Sequence, residues 1–506
     1  MNTSNPITCV SRKPGGTPSP ARGTGSRVLS VLVALSASAA LAAPAAVATP
    51  GAGDARRTAP ATAPETMRWG VCPPNDPMPA PGPAVQCATI KVPVDWSKPQ
   101  GPRTSVFVAR HRAADPARRI GVLMTNPGGP GNPGADTAMY ADREFSPELL
   151  KRFDVVSFDP RGIGRSEGIR CDETLAAKIP DRPRDAAEFE QLRTLNGKLA
   201  KSCLRQMGPL ADHMDTESVA RDTDAIRASL GERRISFLGT SYGTSIGERY
   251  ARLFPDRLRA LALDSAVDPA GAGAERFLTD GSVAVNDIFK RLLADCETDT
   301  SCVLKGRKLI SVTQELFARA DAGTLMEPGP GGPTRRSVDG DRLVAGLYAN
   351  LRAYLPGPAT EFLGKLHSGK GEVHLGELGS DLAWQLVLCR DGDLRIRDFA
   401  EYRAIRERVA KAAPYIRYSS QSLDMILGCQ GWLPPKPASG RAPGALPPVL
   451  VVNALHDAAT PLAGARRMAA AFPRASLLTV DTVGHGMYDL PEPRRAIDTY
   501  LSTRRN

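Results

Sequence analysis

Strand-length apolar runs alternate with helix-length segments in two stretches of this chain, and a long block without that rhythm lies between them. The first stretch opens with two β-rich segments, 88–96 and 104–112. Apolar runs follow at 121–125, 153–158, 235–238 and 258–263, with turn chemistry behind the first three. Residues 216–230 have helical periodicity, with Thr216 or Ser218 placed to cap the first turn. Residues 244–254 read as a helix ended by Pro255. The rhythm stops near Asp268-Pro269. From about 270 to 440 the chain reads as helices and loops, with helical stretches around 341–355 and 395–412 and a Pro328-Gly-Pro-Gly-Gly-Pro333 break. It resumes with a strand at 448–453, a helix at 461–472, a strand at 475–480 and a closing helix at 493–503. Strands alternating with helices require a mostly parallel sheet covered on both faces. The expected architecture is therefore an α/β core over 67–269 and 441–506, with a helical cap inserted at 270–440. No internal repeat is present.

Ahead of the core, residues 1–48 read as an export signal. The basic residues Arg12, Lys13, Arg22 and Arg27 precede an apolar run from Val28 to Leu35, and Ala46-Val-Ala48 offers small residues for cleavage. A retained signal anchor is the alternative; Pro44 and the weakly hydrophobic alanine tract oppose it. No cysteine follows the apolar run, which disfavours a lipid anchor. Residues 49–66, rich in Ala, Pro and Thr, read as a disordered leader. No other run is long and apolar enough to span a bilayer. These features predict an exported protein, free or held at the cell envelope.

Of nine cysteines, Cys9 leaves with the signal and eight remain. An even number in an exported chain points to disulfides, although eight cysteines allow 105 pairings. Neighbour pairing closes the shortest loops: Cys72 with Cys87, Cys171 with Cys203, Cys296 with Cys302, and Cys389 with Cys429. There is no Cys-x-x-Cys and no histidine pair at ligand spacing, so neither a metal site nor a cofactor is expected. The net charge of +11 falls to +7 without the first 48 residues, which hold four basic residues and no acid. The surplus is spread along the chain and aromatics make up only 5%, so a nucleic-acid partner is not expected. The sequence is silent on oligomeric state.

Three Gly-x-Ser-x-Gly patterns occur, centred on Ser166, Ser241 and Ser245. A serine becomes a nucleophile where a buried strand turns sharply into a helix and lifts the hydroxyl to the top of a sheet. Only Ser241 has an apolar strand before it and an amphipathic helix after it. Ser245 would fall one turn inside that helix, and Ser166 lies in a turn-rich loop. The hydroxyl also needs a base oriented by a carboxylate, in the chain order Ser, acid, His. Of six histidines, only His485 sits in a small-residue loop just after the final strand. Asp457, in the loop after the 448–453 strand, is the favoured acid; Asp481 is the runner-up. One oxyanion donor is expected from the N–H of Tyr242. A second is expected from the glycine loop Asn126-Pro-Gly-Gly-Pro-Gly131, near Gly129.

Several segments recur together in one order: Asn126–Gly131, Asp159-Pro-Arg-Gly-Ile-Gly-Arg-Ser166, Gly239-Thr-Ser-Tyr-Gly-Thr244, Phe254-Pro-Asp-Arg257, Leu263-Asp264, Thr460-Pro461 with Asp457, and Gly484-His-Gly486. In this order they resemble the α/β-hydrolase peptidases related to proline iminopeptidase, and in particular the secreted actinobacterial tripeptidyl aminopeptidases. The resemblance covers roughly residues 67–503. It implies a Ser241–His485–Asp457 triad, oxyanion donors near Gly129 and Tyr242, and a cap that restricts access to free N-termini. The Cys389-x-Asp391 and Cys429-x-x-Trp432 elements share the resemblance. They make Asp391 a candidate partner for a substrate ammonium, with a salt bridge inside the cap as its other reading. The implied substrate is a peptide or small amide. N-acyl amidases or esterases on the same scaffold, and an inactive envelope-binding protein, remain as alternatives.

Overall fold

The computed structural model describes residues 66–74, 78–268, 273–379, 381–436 and 448–503. The export signal and the leader through residue 65 lie outside these residues. Ten strands follow one another along the chain. They are β1 (Val85–Pro93), β2 (Arg103–His111), β3 (Gly121–Asn126), β4 (Phe153–Phe158), β5 (Ile235–Thr240), β6 (Leu258–Asp264), β7 (Met326–Gly329), β8 (Gly332–Ser337), β9 (Val449–His456) and β10 (Ala475–Val483). Eight of them form one sheet in the order β1-β2-β4-β3-β5-β6-β9-β10. The β1–β2 and β2–β4 pairings are antiparallel and the rest are parallel.

Burial follows position in that sheet. Strands β3 and β6 are buried along their whole length, and β4 and β5 nearly so, as strands sandwiched between two helical layers must be. Strand β10 lies at the edge and is only partly covered. Register then aligns the carboxyl ends of the central strands: Asn126 pairs with Gly239, and Thr240 with Asp264. Open parallel sheets place their sites at this edge.

The block after β6 is helical, as expected, but two features differ. The Pro/Gly break is a two-stranded hairpin, β7–β8, in which Pro328 pairs with Pro333 and Gly329 with Gly332. A two-stranded ribbon leaves both strands as edges, where a proline costs no ladder hydrogen bond on its outer side. The second difference is a long helix, Ala186–Met207, inside the segment read as core. Phe189 on that helix packs against Tyr402 at 5.7 Å and Phe399 at 6.4 Å between ring centroids. Asn196 Nδ2 donates to Leu427 O at 2.9 Å, and Arg182 just ahead of the helix pairs with buried Asp424. The cap therefore has two sources, this helix and the later block.

Four disulfides join Cys72–Cys87, Cys171–Cys203, Cys296–Cys302 and Cys389–Cys429, the neighbour pairing expected from the sequence. Among the described residues no helix is long and apolar enough to cross a membrane.

Candidate active site

Ser241 follows β5 directly, and its φ of +56° is the left-handed conformation that a sharp strand-to-helix turn imposes. The flanking glycines are sterically required. A Cβ on Gly239 would lie 2.3 Å from Gly243 O, and one on Gly243 would lie 2.2 Å from Asn126 O. The Gly243–Leu253 helix starts at once, aiming its amino end at the turn. Ser241 N donates to Asp264 O at 2.9 Å, which ties the turn to the end of β6.

The imidazole arrives from the loop after β10. His485 Nδ1 lies 2.9 Å from Asp457 Oδ2 and 3.1 Å from Oδ1. With Nδ1 donating its proton to that carboxylate, Nε2 presents the lone pair a base needs. Asp457 is fully buried and accepts from Ala459 N (2.9 Å), Thr460 N (2.9 Å) and Thr460 Oγ1 (2.8 Å). Burial disfavours the charged imidazolium. The hydrogen bond and negative charge of Asp457 outweigh that, so the His485 pKa stands above the usual 6.5.

Asp264 and Ser265, at the end of β6, hold the histidine loop. Asp264 accepts from Met487 N (2.9 Å) and Tyr488 N (2.8 Å), and Ser265 Oγ accepts from Gly486 N (2.8 Å). The same residue therefore fastens both the serine turn and the histidine loop. Thr240 Cγ2 would lie 3.8 Å from a Cβ on Gly486, so the two loops meet. No hydrogen bond joins Ser241 Oγ to His485 Nε2 among the described contacts; in resting hydrolases this contact is commonly long and tightens when substrate binds.

Gly128 brings the glycine loop onto the turn: a Cβ there would lie 2.8 Å from Tyr242 N and 2.9 Å from Ser241 Cβ. Gly128 N is taken by Asn126 Oδ1 at 2.9 Å. Among the described residues neither Gly129 N nor Tyr242 N has a protein acceptor. Two open amides beside a serine, with a paired histidine within reach of its loop, form the parts list of an acyl-transfer site.

A model of the alpha/beta hydrolase fold matches residues 121–491. The chain belongs to the α/β-hydrolase fold family. It is 31% identical over 469 residues to the serine protease Hip1 of Mycobacterium tuberculosis, covering 86% of this chain and 87% of that protein. It is 29% identical over 469 residues to a tripeptidyl aminopeptidase of Streptomyces lividans, covering 86% and 84%. Carboxylesterase B of Mycobacterium tuberculosis is 31% identical over 433 residues, covering 79% and 80%.

The competing residues of this α/β-hydrolase lie elsewhere. Ser166 is fully buried and satisfied: its Oγ accepts from Phe107 N at 2.8 Å and donates to Asp159 O at 2.7 Å. Ser245 stands within the first turn of the Gly243–Leu253 helix. Asp481 is on the surface, paired with Arg291 at 3.0 Å. His456 pairs with Asp287 at 2.6 Å.

Beside the glycine loop lies a cavity of about 930 Å3 lined by Tyr348, Arg352 and Trp384, with the accessible carboxylates Asp181, Glu377 and Asp381; Ser241, Asp457 and His485 are not among its lining residues. Its link to the elbow runs through the glycine loop, since Ala383 Cβ lies 2.5 Å from where a Cβ on Gly131 would be. Asp391 is not among the lining residues. It faces a separate cleft of about 380 Å3, and its carboxylate is engaged by Thr216, through Thr216 N at 2.9 Å and the Thr216 hydroxyl. The residue is exposed to that cleft, yet its carboxyl group is crowded by protein, which pushes its pKa up to about 7. Asp391 thus lies outside the larger cavity and shares the smaller cleft with Arg249 and Lys436.

Among the described residues no group of three or more His, Cys, Asp or Glu side chains is arranged to hold a metal ion. In the sequence, Leu263-Asp264 stands only as one element of the family resemblance, with no sign of the role of Asp264. The role depends on the amides of Met487 and Tyr488, more than two hundred positions away.

Proposed function

We propose that this serine peptidase of the α/β-hydrolase family releases short peptides, tripeptides among them, from free N-termini through an acyl-enzyme on Ser241. One observation carries the reading: half-buried His485, paired with buried Asp457, is fastened by Asp264 and Ser265 to the same strand end as the positive-φ serine. His485 Nε2 takes the hydroxyl proton as Ser241 Oγ attacks the scissile carbonyl carbon. The carbonyl oxygen becomes an oxyanion that accepts from Gly129 N and Tyr242 N. The C–N bond then breaks as the imidazolium gives its proton to the departing amine. Water, deprotonated by His485, repeats the sequence on the ester and frees the peptide acid.

The carboxylates Asp181, Glu377 and Asp381 support a substrate with a free ammonium, because they put negative charge in the cavity that adjoins the glycine loop. The relative named tripeptidyl aminopeptidase supports the same register. Export is part of the proposal, supported by the signal-like first 48 residues and by four disulfides.

The test is mass spectrometry of products from a mixed library of peptides with free and acetylated N-termini. Release of three-residue fragments from free N-termini only is expected. Cleavage restricted to acetylated members would overturn the aminopeptidase reading in favour of an N-acyl amidase or esterase, the reading that the carboxylesterase relative favours.

A further inference from the structure

We propose that the Leu382–Asp391 helix sets the geometry of the oxyanion hole from both sides, with Asp391 and Thr216 as positioning residues. The inference rests on the Ser241 reading above and adds what holds the two N–H donors in place.

At the helix's amino end, Ala383 Cβ occupies the space beside Gly131, so the glycine loop that carries Gly129 is backed by the first turn of the helix. The close approach needs Gly131, because a Cβ there would lie 2.5 Å from Ala383 Cβ. At the carboxyl end, Asp391 accepts from Thr216 N at 2.9 Å, and the Thr216 hydroxyl donates to the other carboxyl oxygen. That hydroxyl has one proton to give. With Asp391 ionised, the hydroxyl's contact with Tyr242 Oη at 2.5 Å is therefore made by the tyrosine donating. The chain of donors runs Tyr242 to Thr216 to Asp391 and ends on a carboxylate, which strengthens each link. Tyr242 and Thr216 are 4% exposed each, so their contact lies away from bulk solvent.

The tyrosine that ends this chain is the residue whose N–H the mechanism uses. Holding its ring restrains the side-chain torsions and so limits how far the peptide plane that carries the N–H can tilt. The Cys389–Cys429 disulfide joins the helix two residues before Asp391 to the end of the Ser420–Gly428 helix. The carboxylate that resembled a substrate partner thus acts through Thr216 on the serine's neighbour.

The experiment compares Tyr242→Phe, Thr216→Val and Asp391→Asn with Thr216→Ser in the full exported enzyme, on a chromogenic tripeptide amide. It also measures inhibition by a peptide boronate, whose tetrahedral adduct fills the oxyanion hole, and binding of the tripeptide product, which does not. A lost donor costs about 10²–10³ in kcat, and a misdirected one less. The expected result is a kcat about 10-fold lower for the first three variants, with KM within twofold. Boronate affinity should fall in step while product affinity holds, and Thr216→Ser should restore the wild-type rate. The Tyr242→Phe/Thr216→Val pair should be no worse than either change alone. Wild-type kcat in Tyr242→Phe and Thr216→Val, or additive losses, would overturn the proposal. A parallel Ser241→Ala variant separates the two claims. If it is inactive while Tyr242→Phe is fully active, only the positioning chain fails; if it is active, the nucleophile assignment fails as well.

Discussion

His485 stands between two opposed influences. Burial resists its charge, and Asp457 favours it more strongly, so its pKa is above 6.5. In the proposed mechanism the neutral imidazole is the base, so kcat/KM should fall as pH drops through that raised value. Asp457→Asn removes the favourable partner and leaves the burial. The acid limb of the profile should therefore move to lower pH while the rate falls by about 10⁴. An unmoved acid limb in a pH–rate series would count against Asp457 as the orienting acid. Ser166→Ala makes the opposite forecast: unchanged active-site labelling with lower stability, because the hydroxyl joins Phe107 N to Asp159 O inside the core. At this scale the sequence was legible where chemistry has local grammar. Ser241 needs a strand before it and a helix after it, and Asp457 and His485 each follow a late strand. Asp264 and Thr216 have no such grammar, since their work is done on partners distant in the chain or in another layer.

Elements were legible where burial is uniform. The apolar runs of β3, β4, β5 and β6 correspond to strands covered on both faces. The Ala186–Met207 helix was not read, although Asp185 caps it through Glu188 N at 2.8 Å. Its apolar residues face cap helices that come two hundred residues later, so nothing beside it in the chain announces a partner. The Asp159–Ser166 segment also gains its meaning from distance. Arg161, fully buried, gives Asp222 two hydrogen bonds at 2.6 and 2.7 Å and donates to the carbonyls of Pro93, Val94 and His213. Arg161→Met strands the Asp222 charge and should cost about 3–5 kcal/mol in urea melts. Replacing Cys389 and Cys429 together by serine should cost about 2–4 kcal/mol in the same assay.

For the molecule as a whole, selection of the carbonyl that reaches the serine falls, in the proposed function, to the cap. A cavity of about 930 Å3 is large enough for a few residues of extended peptide, and in the proposed function its accessible carboxylates receive the ammonium. Glu377→Gln with Asp181→Asn should raise KM for free-amine tripeptide amides about tenfold, the effect of roughly 1.4 kcal/mol. The pair should leave KM for an acetylated amide or a simple ester unchanged. Equal losses on both kinds of substrate would mean that these carboxylates support the cap and do not read the ammonium. In the proposed function one serine, lifted by the β5 turn, forms the acyl-enzyme. Fluorophosphonate labelling of the wild-type protein, followed by mass spectrometry of its peptides, tests this. A single adduct on Ser241 is expected, absent in Ser241→Ala and much slower in His485→Ala. An adduct on Ser166 or Ser245, or undiminished labelling of Ser241→Ala, would contradict it.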